Sequence, residues 1–233
     1  MQLIGEQLSH VELLIKMPTR ARYDRFFETL DQYYQKLSKE VTYHFVISCD
    51  VDDPVMNSEA AISKLKTYPN LSFYFEDNKS KIQACNRNMD KHLDFDVLIL
   101  ASDDMIPVMD GYDQIIVSKM KQYFPDTDGV LHFNDGKRGE YLNTLSIMGK
   151  KYYNRFGYIY YPEYRSIYCD DEFMQVSRLL NKVVYIDTVI IEHRHFSFGL
   201  APIDELYIRN DQFLSHDYNL FRERAAMNFG LPK

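Results

Sequence analysis

With 233 residues, 45% of them hydrophobic and with few Gly and Pro, the chain can bury a sizeable core and lacks the composition of a disordered or fibrous protein. A formal net charge of −7 argues against a protein that coats nucleic acid, which needs clustered Lys and Arg. No apolar run approaches the ~18 residues of a membrane span, and no signal-peptide pattern opens the chain. Three cysteines, Cys49, Cys85 and Cys169, fall in no metal-ligand spacing and cannot all pair, which points to a reducing, cytoplasmic setting.

In chain order, 11–16 (VELLIK) reads as a short strand that ends in Pro18-Thr19-Arg20-Ala21-Arg22. Tyr23, Phe26, Phe27, Leu30, Tyr33, Tyr34 and Leu37 then recur at helical spacing. The β-branched and aromatic run 41–48 (VTYHFVIS) is a second strand, leading into the acidic loop Cys49-Asp50-Val51-Asp52-Asp53-Pro54. Asn57 or Ser58 can cap a helix to about residue 68, and 71–75 is a third strand. Asn78-Lys79-Ser80 opens a helix whose expected inward face is Ile82, Cys85, Met89 and Leu93. The run 97–101 (VLILA) has the length of a strand buried on both faces; it stops in Ser102-Asp103-Asp104, with Pro107 expected to prevent a regular ladder from continuing. The alternation predicts a mostly parallel α/β sheet covered on both sides, with ligands at the carboxyl ends of its strands. Two adjacent carboxylates there invite a cation, although the local pattern alone favours a solvated acidic loop.

Beyond Pro107, Tyr112, Ile115, Ile116, Met120 and Tyr123 predict a helix, and 129–133 and 144–148 predict strands separated by the turn signal Asn134-Asp135-Gly136. Residues 150–156 read as a short helix; Asp170-Asp171-Glu172 open another, where acids would also serve as ordinary caps. The β-branched stretch 183–191 predicts one strand leading into Glu192-His193-Arg194-His195, and a helical extension is expected over about 203–224. A patch of Lys137, Arg138, Lys150, Lys151 and Arg155 hints at an anionic partner.

Taken together, IKMPTRAR (15–22), ISCDVDDPVMN (47–57), NKSKIQACN (78–86), LILASDDMIP (98–107), CDDEF (169–173), VYIDTVIIEHRH (184–195) and DELYIRND (204–211) are similar to a family-2-like nucleotide-sugar glycosyltransferase of the GT-A type, resembling short glycosyltransferases of tailed phages and marine viruses. The resemblance implies a single GT-A domain with a Rossmann-like sheet over 1–233: a nucleotide-sugar half (1–107), an acceptor and catalytic half (108–200) and a C-terminal helical extension (201–233). It implies Pro18, Thr19 and Arg20 at the nucleotide base, Asp50 or Asp52 reading the base edge, and Lys81, near Asn78 and Asn86, touching the nucleotide. Ser102-Asp103-Asp104 stands where such enzymes carry a DxD motif, with Ser in place of the first acid. Asp104 would hold Mn²⁺ or Mg²⁺, with His193 or His195 as a further ligand, and Asp103 would face the donor ribose or sugar. Asp170 aligns with the general base of inverting members, though Cys169 replaces the customary Glu, so Asp171 or Glu172 could serve instead.

The implied reaction is metal-dependent, inverting transfer of a hexosyl or pentosyl group from a nucleoside-diphosphate sugar, a UDP-sugar by preference, to a hydroxyl of a glycan or of a hydroxymethylated base in phage DNA, within the cytoplasm of a host cell. Nucleotidyl transfer is a second reading, disfavoured because the Met-Pro-Thr-Arg-Ala-Arg turn lacks the glycines of a phosphate loop; a non-catalytic nucleotide-sugar-binding module is a third.

Overall fold

The computed structural model describes residues 10–194 and 212–232. Its first half is the expected alternation: β1 (Val11–Pro18), α1 (Tyr23–Gln35), β2 (Tyr43–Asp50), α2 (Glu59–Leu65), β3 (Leu71–Glu76), α3 (Lys81–Asn86) and β4 (Phe95–Leu100). Ser58 and Ser80 cap α2 and α3, each accepting a backbone N–H three residues on. The second half comprises β5 (Met105–Pro107), α4 (Tyr112–Tyr123), β6 (Val130–Phe133), β7 (Ile147–Gly149), α5 (Lys150–Phe156), α6 (Cys169–Leu179), β8 (Val183–Ile186), β9 (Ile191–His193) and α7 (Leu214–Ala226).

Seven strands form one sheet in the order β3-β2-β1-β4-β7-β6-β8. β7 runs antiparallel to both its neighbours, and the other strands are mutually parallel. Alternation along the strands divides the core. Leu13, Ile15 and Met17 of β1 and Val97 and Ile99 of β4 pack under α1, α2 and α4. Leu14, Leu98 and Leu100 face α3, α5 and α6 on the other side, where Leu220 and Phe221 of α7 also pack. The mostly parallel sheet covered on both faces is therefore present as expected.

Three local expectations are corrected. Residues 183–191 are two strands in two sheets: β8 pairs with β6, and β9 pairs with β5 in a separate ribbon. A β-branched composition reports extended backbone but not where a chain leaves one sheet for another. Pro107 does lie in a ladder, opposite Ile191, because an edge strand tolerates a missing N–H. Leu93 is 48% exposed, since α3 stops at Asn86 and Asn88 adopts a left-handed conformation (φ 66°), which resets the helical period. Of the C-terminal helix expected over 203–224, the described part begins at Leu214, and the segment 204–211 lies outside the described residues.

Lys16 is buried in the centre of β1 on the α3 face, its ammonium donating to Ser48 Oγ. Burial pushes that ammonium down from its ordinary 10.5 to about 8. Below pH 8 the amine is charged in both states, and the folded state carries the full desolvation cost, about 3 kcal/mol. Between 8 and 10.5 the unfolded chain binds more protons, so stability rises with pH, and above 10.5 the penalty is gone. Lys16→Met should therefore stabilise the protein at pH 7 by an amount of that order, with the gain shrinking toward pH 10.5. Urea unfolding across this pH range checks it.

Candidate functional site

A cavity of about 430 Å³ opens at the carboxyl ends of β1, β2 and β4. Pro18, Thr19, Arg20, Arg22, Asp50, Lys81, Ser102, Asp103, Asp104 and His193 line it, together with Arg138, Thr144, Tyr168, Asp170 and Asp171. Of the residues nominated from sequence, Pro18, Thr19, Arg20, Asp50, Lys81, Asp103, Asp104, Asp170, Asp171 and His193 are thus brought to one cavity. Asp52 is exposed beside it, Glu172 points elsewhere, and His195 lies outside the described residues.

The turn after β1 is held by carboxylates. Arg20 donates to Asp50 at 2.7 Å and to Asp52 at 2.5 Å, and Asn78 Nδ2 donates to the other Asp50 oxygen at 2.8 Å. Ala21 adopts a left-handed conformation (φ 59°), stabilised by its N–H donating to Asp53 Oδ2 at 2.7 Å. That bend carries Arg22 to Asp103 Oδ1, at 2.9 Å. From α1, Arg25 and Thr29 donate to the Asp103 carbonyl. Burial, aided by the neighbouring Asp104 charge, nonetheless raises the Asp103 carboxyl above its ordinary value despite Arg22. Thr19 Oγ1 is buried at the cavity wall without a hydrogen-bond partner among the described residues, a donor and acceptor that a ligand could satisfy.

Asp104 is set by the ribbon. Met105 pairs with His193, and the Arg194 N–H donates to the Asp104 carbonyl at 2.7 Å. His193 Nε2 thereby stands 3.6 Å from Asp104 Oδ2, while Nδ1 stands 3.8 Å from Asp135 Oδ2. Ser102, where the stricter pattern has an acid, donates its hydroxyl to Asp104 Oδ1 and so orients the carboxylate. Burial opposes charge on both Asp104 and His193, but their attraction prevails: Asp104 is held well below the carboxylate range and His193 is raised to about 9 by Asp104 and Asp135. Lys81 stands on the α3 rim of the cavity; burial disfavours its charge, yet Asp104 and Asp170 are among the groups that hold it up.

Could this corner take a divalent ion? Among the described residues, no three His, Cys, Asp or Glu side chains are grouped to cage one. Asp104 and His193 nevertheless offer a hard carboxylate oxygen and an imidazole nitrogen on one wall of an open cavity. This donor set fits an ion such as Mn²⁺ or Mg²⁺ that takes its other ligands from water and a phosphorylated molecule.

The opposite wall is built by α6. Tyr168 precedes it in a left-handed conformation (φ 60°), its ring packed against Tyr218 and Phe221 of α7. Asp170 and Asp171 follow at the cavity surface. Burial and the adjacent Asp170 charge push the Asp171 carboxyl up to about 6. Glu172, one residue further along the helix, turns inward: it accepts both Nε and Nη2 of Arg224 and the hydroxyl of Tyr164. Arg224 in turn lies 3.3 Å over the Tyr161 ring. The loop before α6 is tied down by Asp217, fully buried in α7, which accepts the backbone N–H groups of Arg165, Ser166 and Ile167.

Sequence reasoning gives no individual site role to Arg22, Asp135, Asp217 or Arg224, and names Asp53 and Arg138 only within an acidic loop and a basic patch. Arg22 sat inside a quoted segment and could have been weighed with Arg20. Asp135 was visible only as a turn residue, and Asp217 and Arg224 looked like ordinary charges on a helix. The expected basic patch also needs correction, because most of it is spent internally: Lys137 pairs with Glu192, Lys151 with Asp126 and Arg155 with Asp128, while Lys150 donates to the Leu93 carbonyl and lies over Phe95. Arg138 faces the cavity.

No protein-family model matches the chain, and no curated protein sequence matches it significantly. Solved structures do. Mannosyltransferase PcManGT from Pyrobaculum calidifontis, in complex with GDP-Man and Mn²⁺, is 12% identical with a TM-score of 0.60, covering 93% of this chain and 74% of that one. S. aureus TarS 1–349 in complex with UDP is 14% identical with a TM-score of 0.61, covering 91% and 71%. A further TarS structure gives 13% identity and a TM-score of 0.61, and this chain spans under half of it, 43%. At these identities the likeness establishes a shared fold.

The inward turn of Glu172 has a measurable consequence. Breaking the buried pair with Glu172→Gln should cost about 3 kcal/mol of stability, because Arg224 is left buried without its counter-charge. Replacing both partners, Glu172→Leu with Arg224→Met, should recover most of that loss, and urea unfolding of the three proteins checks it.

Proposed function

We propose that the chain is a metal-dependent, inverting glycosyltransferase that moves a hexosyl or pentosyl group from a nucleoside-diphosphate sugar, a UDP-sugar in our reading, to a hydroxyl of an acceptor. The observation that carries it is the meeting, in one cavity, of an Asp104–His193 pair suited to a divalent ion and an Asp170–Asp171 pair suited to proton abstraction. The shared fold supports it: one structural neighbour is a mannosyltransferase solved with GDP-Man and Mn²⁺, another was solved with UDP.

In this reading the turn 18–22 and Asp50 receive the nucleotide, with the Thr19 hydroxyl finding there the partner it otherwise lacks. Asp103 holds Arg22 at the cavity wall, so the guanidinium meets the donor pre-positioned, and Asp103 lies at the ribose or sugar. Asp104 and His193 hold Mn²⁺ or Mg²⁺; when bound, the ion stabilises negative charge on the departing diphosphate. Lys81 adds a cation on the same side. Asp170 takes the proton of the acceptor hydroxyl as that oxygen attacks the anomeric carbon. The bond to the diphosphate breaks on the opposite face, and the configuration inverts in one displacement. The pairing of Glu172 with Arg224 supports Asp170, rather than Glu172, as the base.

For the acceptor, a glycan is favoured over a modified DNA base, because the cations that would track a phosphate backbone are mostly committed to neighbouring acids. The cysteines are free and buried, which suits work in a reducing cytoplasm, of a host cell if the viral resemblance holds. No helix among the described residues is long and apolar enough to cross a membrane.

Two measurements test this reading. Thermal shifts across a panel of nucleoside-diphosphate sugars with Mn²⁺ should find one donor that stabilises by about 2.7 kcal/mol at 100 times its Kd. That shift should need the metal and vanish in Asp104→Asn; full metal-dependent turnover by this variant would remove Asp104 from the role. In a pH profile of kcat/KM, the acidic limb should fall near pH 6, where Asp171, its carboxyl raised by burial and by the adjacent Asp170 charge, takes up a proton. Asp170→Asn should lower the rate roughly 10²–10⁴-fold at every pH. Asp171→Asn should remove the limb near pH 6. A limb that stays near pH 6 in Asp171→Asn would contradict this assignment.

A further inference from the structure

Asp135 shows in the sequence only as a turn residue, yet one of its carboxylate oxygens stands behind His193. It is 1% exposed at the end of β6. Oδ1 accepts the backbone N–H groups of Lys137 at 2.8 Å and Arg138 at 2.6 Å, closing the turn that delivers Arg138 to the cavity. Oδ2 accepts the Thr144 hydroxyl at 2.7 Å and lies 3.8 Å from His193 Nδ1. The backbone adds a further tie, with the His193 N–H donating to the Asp135 carbonyl at 2.9 Å. One imidazole nitrogen is therefore turned toward a locked carboxylate, and the other toward Asp104 and the cavity.

We propose that Asp135 is a positioning residue for the cation corner: its carboxylate faces Nδ1 of His193 and keeps the proton on that nitrogen, so that Nε2 is the atom that would meet a divalent ion held with Asp104. With an ion bound, the outer carboxylate would orient the ring and raise its basicity as a ligand. Because the other Asp135 oxygen orders the Arg138 turn, one buried group joins the metal ligand to a cation of the opposite wall. The inference rests on the reading of Asp104 and His193 as metal ligands.

The test uses the full-length protein with Mn²⁺ as probe, its affinity read by electron paramagnetic resonance at saturating UDP, with UDP binding measured separately without metal. Asp135→Asn keeps an oxygen for the turn and removes the charge facing His193. It should weaken Mn²⁺ binding about 10–100-fold with the metal-free UDP affinity unchanged. Wild-type affinity in Asp135→Asn overturns the positioning role while leaving the metal assignment standing. Failure of the wild-type protein to bind Mn²⁺, or undiminished binding by His193→Ala, overturns both. Should Asp135→Asn not fold, long-range ¹H–¹⁵N spectra of the wild-type imidazoles decide the matter: with diamagnetic Mg²⁺ and UDP, His193 should carry its proton on Nδ1, with Nε2 shifted by the ion. The opposite tautomer overturns the proposal.

Discussion

The crowding of carboxylates at one end of the sheet is the constraint on which the rest of the site depends. Asp50, Asp53, Asp103, Asp104 and Asp135 are all nine-tenths or more buried at that rim, where each would repel the others and lose hydration. Every one is answered by a specific donor: Arg20 and Asn78 for Asp50, the Ala21 N–H for Asp53, Arg22 for Asp103, His193 for Asp104, and a turn of backbone N–H groups for Asp135. The compensating charges come from two short stretches, the bend after β1 and the end of β9. That economy explains why a left-handed Ala21 is retained, since the bend must aim two arginines at two separate acids.

The second wall follows a different logic. Here burial and the adjacent Asp170 charge outweigh Arg138, and Asp171 is raised to about 6. What the fold supplies here is rigidity. Asp217 pins the loop 165–167, Arg224 pins Glu172, and the Tyr168 ring is held between α6 and α7. A wall whose backbone is over-determined can hold a carboxyl raised toward neutral pH, as Asp171 is, where it can give and take a proton. The two walls thus suit two tasks: one for a charged donor and a cation, the other for proton transfer.

The same accounting bears on the partner. A chain with net charge −7 spends Lys137, Lys151 and Arg155 on its own acids, so a basic surface inferred from sequence largely cancels once the chain is folded. Asp135 holds the Arg138 backbone rather than its guanidinium, and the Arg138 side chain lines the cavity.

Much of this was legible in the residues alone. Apolar runs of strand length, alternating with helical periods, determined the parallel half of the sheet, and the acids that end those runs marked its ligand-bearing rim, because buried parallel strands can become polar only where they leave the core. Asp104, Asp170 and His193 were nominated from sequence and lie at one cavity. What sequence could not decide was which way each polar side chain turns. Asp171 and Glu172 are neighbours of identical charge, yet one meets the cavity and the other meets Arg224, from a helix more than forty residues away. The split of 183–191 into two sheets, the pairing of Met105 with His193 and the seat of Asp135 behind the imidazole likewise depend on contacts between distant segments. Local pattern records burial and period; the partner of a buried charge is set by tertiary packing, and here that partner determines the chemistry.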